Sequence, residues 1–295
     1  MRKIKIHCSF WGTILTRSAT WELVRKEDPI EYFKESAHLI ILDGWEHTNE
    51  IQVVYSWDVR ERELTVWPGK DWVLCINHTR EENYTIITPL ADCWGIAFKN
   101  PNNTAFGIIH AWYKWVAKDI VWELVDKIWR TWTHESEFEF ELSPMLWKKY
   151  EFNTSYYLET FSTLFKKYNL NPDHYFERVD DEKWYLDLKK IILDVFKKNK
   201  IKKSQIKVSN IETNNPKNNY ASHRLETIAW SIKKKVWESY GSQQRINQEF
   251  LESLLDIDMF NEQEKELIQS WNYSHYHDTK RNIFMLRLEI EQNKE

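Results

Sequence analysis

The stretch Tyr84-Thr-Ile-Ile-Thr-Pro-Leu-Ala-Asp-Cys-Trp-Gly-Ile-Ala-Phe-Lys-Asn-Pro-Asn-Asn-Thr-Ala-Phe-Gly-Ile-Ile-His110 sets the fold class. Within it, Tyr84–Thr88, Gly95–Phe98 and Ala105–His110 are short β-branched or apolar runs bounded by turn residues, the pattern of strands. Pro101-Asn-Asn103 reads as a hairpin loop joining the last two. From Tyr113 onward Val116, Ile120, Leu124 and Ile128 recur every four positions, which predicts one helix with a buried face. A hairpin followed at once by an amphipathic helix predicts a mixed α/β protein.

Working outward, His38–Leu42 and Ile51–Tyr55 are further strands. Glu137-Phe-Glu-Phe-Glu-Leu142 alternates at period two, as a half-buried strand does. Helices are expected over 154–168 and 186–199, then a strand at Gln205–Ile211 and a polar loop over 212–219. Residues 222–270 read as almost wholly helical, with Ile246, Phe250, Leu254 and Leu255 on one face, and Ile283–Ile290 closes the chain as a strand. There is no internal repeat. The expected organisation is one domain over residues 1–295, with a helical insertion over 220–270 before the last strand.

The bulk numbers exclude several classes. A chain of 295 residues can bury a sizeable core, and 42% hydrophobic with 29% charged residues is ordinary for a soluble globular protein. A net charge of −4 gives no general pull toward nucleic acid, and the Lys-rich run from Lys197 to Lys207 reads as a solvated helix end. Cys8, Cys75 and Cys93 are too few and too scattered for a disulfide framework. The basic start lacks the apolar run of a signal peptide, and no stretch is apolar enough to span a membrane. A cytoplasmic protein with neither a membrane nor a nucleic-acid partner is expected.

One feature of composition is abnormal. Trp occurs 17 times and Gly only 6, whereas average usage of about 7% would give roughly 20 Gly in this length. Thirteen of the Trp precede residue 148, many beside turn residues: Trp11-Gly12, Gly44-Trp45, Trp67-Pro68-Gly69, Asp71-Trp72 and Trp94-Gly95. Turns need positive φ, which Gly adopts cheaply and a bulky aromatic does not. Two readings follow. Many of these Trp are Gly in the natural protein, for instance through a codon such as UGA that its own host decodes as Gly. Alternatively the protein is truly Trp-rich, with a surface for stacking carbohydrate or bases.

Two short segments carry chemistry. In Thr88-Pro-Leu-Ala-Asp-Cys93, Asp92 and Cys93 stand just before a strand; in His110-Ala-Trp-Tyr-Lys-Trp115, His110 ends a strand where a helix opens. Strand ends that turn into helices often carry reactive groups. Thiolate and imidazole are good zinc or copper ligands, and a helix start favours an anion such as phosphate. The bland alternatives are a small buried Cys and a hydrogen-bonded structural His. The residues by themselves therefore read as a Cys/His metal or nucleophile site in an α/β protein, or as plain core.

These segments also carry a resemblance. Thr88–Cys93 resembles the Thr-Ala-Asp-Cys segment of the laccase-domain (YfiH-like) family, and His110–Trp115 its His-Ala-Gly-Trp-Arg-Gly segment. In the second, Trp112 and Trp115 fall where the family has Gly. Asp71-Trp-Val-Leu-Cys75 is similar to the family's Asp-Gly-Val-Ile-Thr stretch, again with Trp in the Gly place. Tyr185-Leu-Asp-Leu188, Ile206–Thr213 and Tyr273-Ser-His-Tyr-His-Asp278 with Arg281 resemble later landmarks, so the likeness covers about residues 50–213 plus the last strand.

The resemblance implies a mixed-sheet α-β-β-α sandwich and a zinc or copper ion held by His, Cys and His. It implies phosphorolysis of adenosine, inosine or methylthioadenosine, or deamination of adenosine, with a purine nucleoside and phosphate as partners. Carried onto this chain, Cys93 and His110 are two metal ligands, and Asp92 orients a ligand or moves a proton. Lys114 replaces the family Arg and offers phosphate a point charge without the bidentate fork. The family's first His lies in Gln-Val-His-Gly; its best counterpart, Gln52-Val-Val-Tyr-Ser-Trp57, puts Tyr55 there as a substitute ligand. The central Cys-Tyr-Glu segment is also altered, since Lys148-Lys-Tyr-Glu151 carries Lys in the Cys place. These departures keep a second reading open: a degenerate, non-catalytic relative that binds a nucleoside or a protein.

Overall fold

The computed structural model describes residues 3–16, 38–43, 51–55, 64–68, 72–76, 84–101, 105–130, 138–146, 151–178, 183–213, 215, 222–270 and 280–291. In the strands before residue 86, at 89, and in 151–155, 183–184 and 280–291 only the backbone is described, Val73 excepted.

The strands fall into three sheets. The five-stranded sheet has the order β1 (Lys3–Thr16), β14 (Lys280–Glu291), β6 (Tyr84–Leu90), β2 (His38–Asp43), β4 (Leu64–Pro68). The six-stranded sheet runs β13 (Ile206–Val208), β9 (Glu139–Leu142), β7 (Trp94–Lys99), β8 (Ala105–Ala111), β5 (Trp72–Ile76), β3 (Ile51–Tyr55). A small third sheet joins β10 (Glu151–Asn153), β12 (Lys183–Leu186) and β11 (Phe176–Arg178). Both large sheets are mixed: β2 runs parallel to β4 and β6 but β14 antiparallel to β1 and β6, and β7 and β8 are antiparallel while β3 and β5 are parallel. This is the mixed α/β fold that the strand and helix pattern predicts.

The hairpin read from Pro101-Asn-Asn103 is the β7–β8 pair, with Phe98 opposite Gly107. Gly107 is required there. A Cβ at that position would lie 2.1 Å from the Val73 carbonyl oxygen of β5 and 2.5 Å from the Phe98 ring. The helix predicted from Tyr113 to Ile128 is instead two, α1 (Tyr113–Ala117) and α2 (Ile120–Arg130). Asp119 breaks it by taking φ 66°, a conformation Asp tolerates better than most residues. Its carboxylate caps α2 by accepting from Trp122 N–H at 3.3 Å, and accepts from Lys167 Nζ at 2.6 Å and Tyr168 Oη at 2.7 Å. The four-residue apolar rhythm survives the break, because Val116, Ile120, Leu124 and Ile128 are all buried.

The helix α3 (Thr154–Tyr168) lies between β10 and β11 in sequence and α4 (Leu188–Lys198) follows β12, and both share the main core with β7, β8, β9, α1 and α2. The strand predicted at Gln205–Ile211 shrinks to β13, since a 3₁₀ turn occupies Lys203–Gln205 and Gln205 Nε2 donates to the Phe138 carbonyl at 2.7 Å. Residues 222–270 form three helices, α5 (His223–Tyr240), α6 (Gln248–Ser253) and α7 (Glu262–Gln269). Gly241, at φ 90°, follows the last turn of α5. These helices have a core of their own, made of residues such as Leu225, Ile232, Val236, Leu251 and Ile268. The chain then returns through β14 between β1 and β6. No helix among the described residues is long and apolar enough to cross a membrane.

Candidate functional site

The β7–β8 pairing brings the two chemical segments to one place. Trp94 is opposite Ala111 and Gly95 is opposite His110, so the start of one strand meets the end of the other. Cys93 stands one residue before β7 and is partly exposed, while His110 is 4% exposed. The entry to β7 is pinned from the far side: Gly95 N–H donates to Ser143 Oγ at 2.9 Å, and Ser143 N–H donates to the Gly95 carbonyl at 2.9 Å. Lys114 follows in the first turn of α1, its Nζ 4.6 Å from the Trp112 ring centroid and 6.0 Å from that of Tyr113. Tyr156 of α3 reaches the same cluster. The hydrogen bond with Tyr113 and then the Lys114 charge pull its hydroxyl below the ordinary tyrosine value.

Asp92 is held differently from its neighbours. It has φ 68°, and its carbonyl accepts from Leu146 N–H at 3.2 Å. Its Oδ1 accepts from Thr213 Oγ1 at 2.6 Å, and Oδ2 from Ser222 Oγ at 3.0 Å and Arg224 N–H at 2.7 Å. Burial pushes this carboxyl above the usual carboxylate range, against the pull of those three bonds and of nearby His223. Sequence reasoning found Asp92 but missed its partners Thr213, Ser222 and Arg224. The available signal was Ser222 standing as an N-cap just before the apolar face of α5.

Tyr55, expected as a substitute metal ligand, is placed elsewhere. It ends β3 opposite Ile76, and Ile76 lies opposite Ala105, the first residue of β8. His110 is five residues further along β8, roughly 17 Å at the usual strand rise. The parallel β3–β5 register causes this, since it carries the end of β3 away from the end of β8. The side chain of Tyr55, the segment 147–150 with Lys148, and the segment 271–279 with Tyr273–Asp278 lie outside the described residues.

Metal fit can be judged from the donors present. Cys93 and His110 supply a sulfur and a nitrogen, but no group of three or more His, Cys, Asp or Glu among the described residues could hold an ion. The pair is thus an incomplete set for zinc, which takes at least three protein ligands. A cavity of about 250 Å³ opens at the opposite end of β7, between Lys99, Glu139, Glu141, Gln205 and Lys207, away from this chemistry.

Among the described residues, Thr88 Oγ1 of β6 and the indole N–H groups of Trp94 on β7 and Trp115 on α1 are buried without a hydrogen-bond partner. Buried indoles ordinarily find an acceptor, so two that do not, in one core cluster, are unusual.

Comparison with known proteins agrees with the fold. The model of the family described as multi-copper polyphenol oxidoreductase laccase matches residues 39–230. Among solved structures, the Bacillus licheniformis hypothetical protein YfiH is similar at TM-score 0.56 and 16% identity, over 90% of this chain and 80% of that one. YlmD from Geobacillus stearothermophilus is similar at TM-score 0.55 and 16% identity, over 88% and 76%. A DUF152 protein from Neisseria meningitidis is similar at 0.53 and 12%, over 97% and 94%. No curated protein matches the chain. The structural likenesses speak for the fold, and the family match spans well over half of the sequence, with Cys93, His110 and Lys114 inside it. The chain that gathers these residues at one end of β7 and β8 belongs to the multi-copper polyphenol oxidoreductase laccase family.

Proposed function

We propose that this protein acts on purine nucleosides at the β7–β8 end, in the manner the laccase-domain resemblance implies: phosphorolysis, with adenosine deamination as the related activity. The observation that carries the reading is the register that sets His110 opposite Gly95, two residues from Cys93, with Lys114 just beyond. A zinc or copper ion is proposed here with Cys93 and His110 as two of its ligands. Such an ion would supply Lewis acidity at this end.

In phosphorolysis a phosphate oxygen forms a bond to the ribose C1′ while the bond from C1′ to the base nitrogen breaks. The electron pair leaves with the base, which then takes a proton. Lys114 is the cation for the incoming phosphate, as a point charge. Its ammonium rests 4.6 Å from the Trp112 ring, which competes for it.

The reading includes the composition anomaly. We take Trp94, Trp112 and Trp115 as positions where the natural protein carries Gly. The unpartnered buried indoles of Trp94 and Trp115 support this at those two positions, and at Trp112 the reading rests on the family likeness. With Gly there, the turn after His110 opens to phosphate and Lys114 is released from the ring.

The test is turnover of adenosine with and without phosphate, by protein carrying Gly at these three positions. Adenine formed only with phosphate, and lost by at least about a hundredfold in Cys93→Ala and His110→Ala, supports the reading. Inosine formed without phosphate assigns the deaminase activity. The incomplete donor set favours a second reading, a non-catalytic nucleoside-binding relative. Nucleoside binding without product would establish that reading in its place.

A further inference from the structure

The helices of 222–270 have their own core, yet they are not simply appended to the sheets. One carboxylate joins them to the turn that carries Cys93. Asp92 takes three donors on its two oxygens: Thr213 after β13, the N-cap hydroxyl of Ser222, and the Arg224 N–H in the first turn of α5. Its carbonyl meanwhile accepts from Leu146, and Thr213 N–H donates to the Met145 carbonyl at 3.1 Å. Four chain segments, 92, 145–146, 213 and 222–224, therefore meet at one residue immediately before Cys93. The left-handed φ of 68° lets the carboxylate face them. Ser222 also accepts from Leu225 N–H at 3.3 Å, so the contact that starts α5 is the contact that holds Asp92.

We propose that Asp92 is a positioning residue, which fixes the backbone turn bearing Cys93 against the first turn of α5, so that the C-terminal helical block sets the thiol's position. The proposal rests on the reading of Cys93 as a functional group. It assigns Asp92 no step of proton transfer.

The test is alkylation of Cys93 by iodoacetamide, followed by peptide mapping to separate it from Cys8 and Cys75. It is paired with amide hydrogen exchange across 223–240, in the full chain. In Asp92→Ala, Cys93 is expected to react about tenfold faster, as a turn that opens locally would, and the Arg224 and Leu225 amides to exchange faster. Asp92→Asn keeps one oxygen acceptor and should rescue most of both effects, which a general loss of stability would not do. If Asp92→Ala does not fold, Ser222→Ala removes one bond and should give a smaller rise at both places. Faster exchange in α5 with unchanged Cys93 reactivity overturns the proposal, making Asp92 a clamp for the helices alone. No change at either place also overturns it. Because neither readout needs turnover or metal, an inactive wild-type protein would count against the nucleoside reading and leave this one standing.

Discussion

Trp94 and Trp115 are 2% and 9% exposed, and neither indole N–H has an acceptor. A core Trp normally contributes enough packing that truncation costs about 3–5 kcal/mol. Here each N–H carries a burial penalty of about 1–3 kcal/mol that truncation would relieve. Trp94→Gly and Trp115→Gly are therefore expected to cost about 2 kcal/mol each in urea unfolding, with the difference traceable to that relief. A loss of about 4 kcal/mol or more would mark them as genuine core residues. The neighbouring Asp92 was legible from sequence as a residue of interest, but its role was not. Its partners Thr213 and Ser222 lie 121 and 130 residues away, beyond the reach of any local pattern. The positions of Cys93 and His110 beside strand ends were legible because strand ends follow from local apolar runs, whereas Lys114, in α1, came from the family likeness. Tyr55 was placed by motif likeness, and the register of β3 against β5 moved it away.

Among the elements, those fixed by local periodicity came through best. The helix α3 spans the very range its apolar spacing predicts, residues 154–168, and β2, β3, β7 and β8 match to within a residue or two. Elements decided by partners did not. The 14-residue strand β1 pairs with β14 at the other end of the chain, and the strands of the small sheet are only three or four residues long. The split between α1 and α2 depends on one side chain, Asp119, that the buried face does not reveal. In the helical block, Glu264 of α7 is 1% exposed and joins two helices: Lys235 Nζ at 2.6 Å and Ser231 Oγ at 2.6 Å on α5, and Asn261 N–H at 2.8 Å. Burial alone would raise this carboxyl, but those bonds and the Lys235 charge outweigh it and leave it below its ordinary value. The linkage sign follows. The stability it contributes is complete above the unfolded carboxylate value, about 4.3, and is lost as pH falls through the lower native one. Glu264→Gln should cost about 2 kcal/mol at neutral pH and flatten the acid loss of protection in α5 and α7, followed by hydrogen exchange. Equal acid sensitivity in the variant would place the titration elsewhere.

At the scale of the molecule, two cores among the described residues are joined through a polar contact beside the proposed reaction centre. The family match ends at residue 230, within α5, so the helical block contributes the first two turns of α5 to the matched region while α6 and α7 follow it. The proposed account turns on Cys93 and His110 serving one ion at the β7–β8 end. The most direct test is cobalt(II) loading of the metal-stripped full chain, read by the thiolate-to-cobalt charge-transfer absorption. The account predicts one tightly bound ion per chain, an absorption band abolished by Cys93→Ser, and ligand-field bands altered by His110→Ala. A band that survives Cys93→Ser, or no cobalt bound at all, would contradict it.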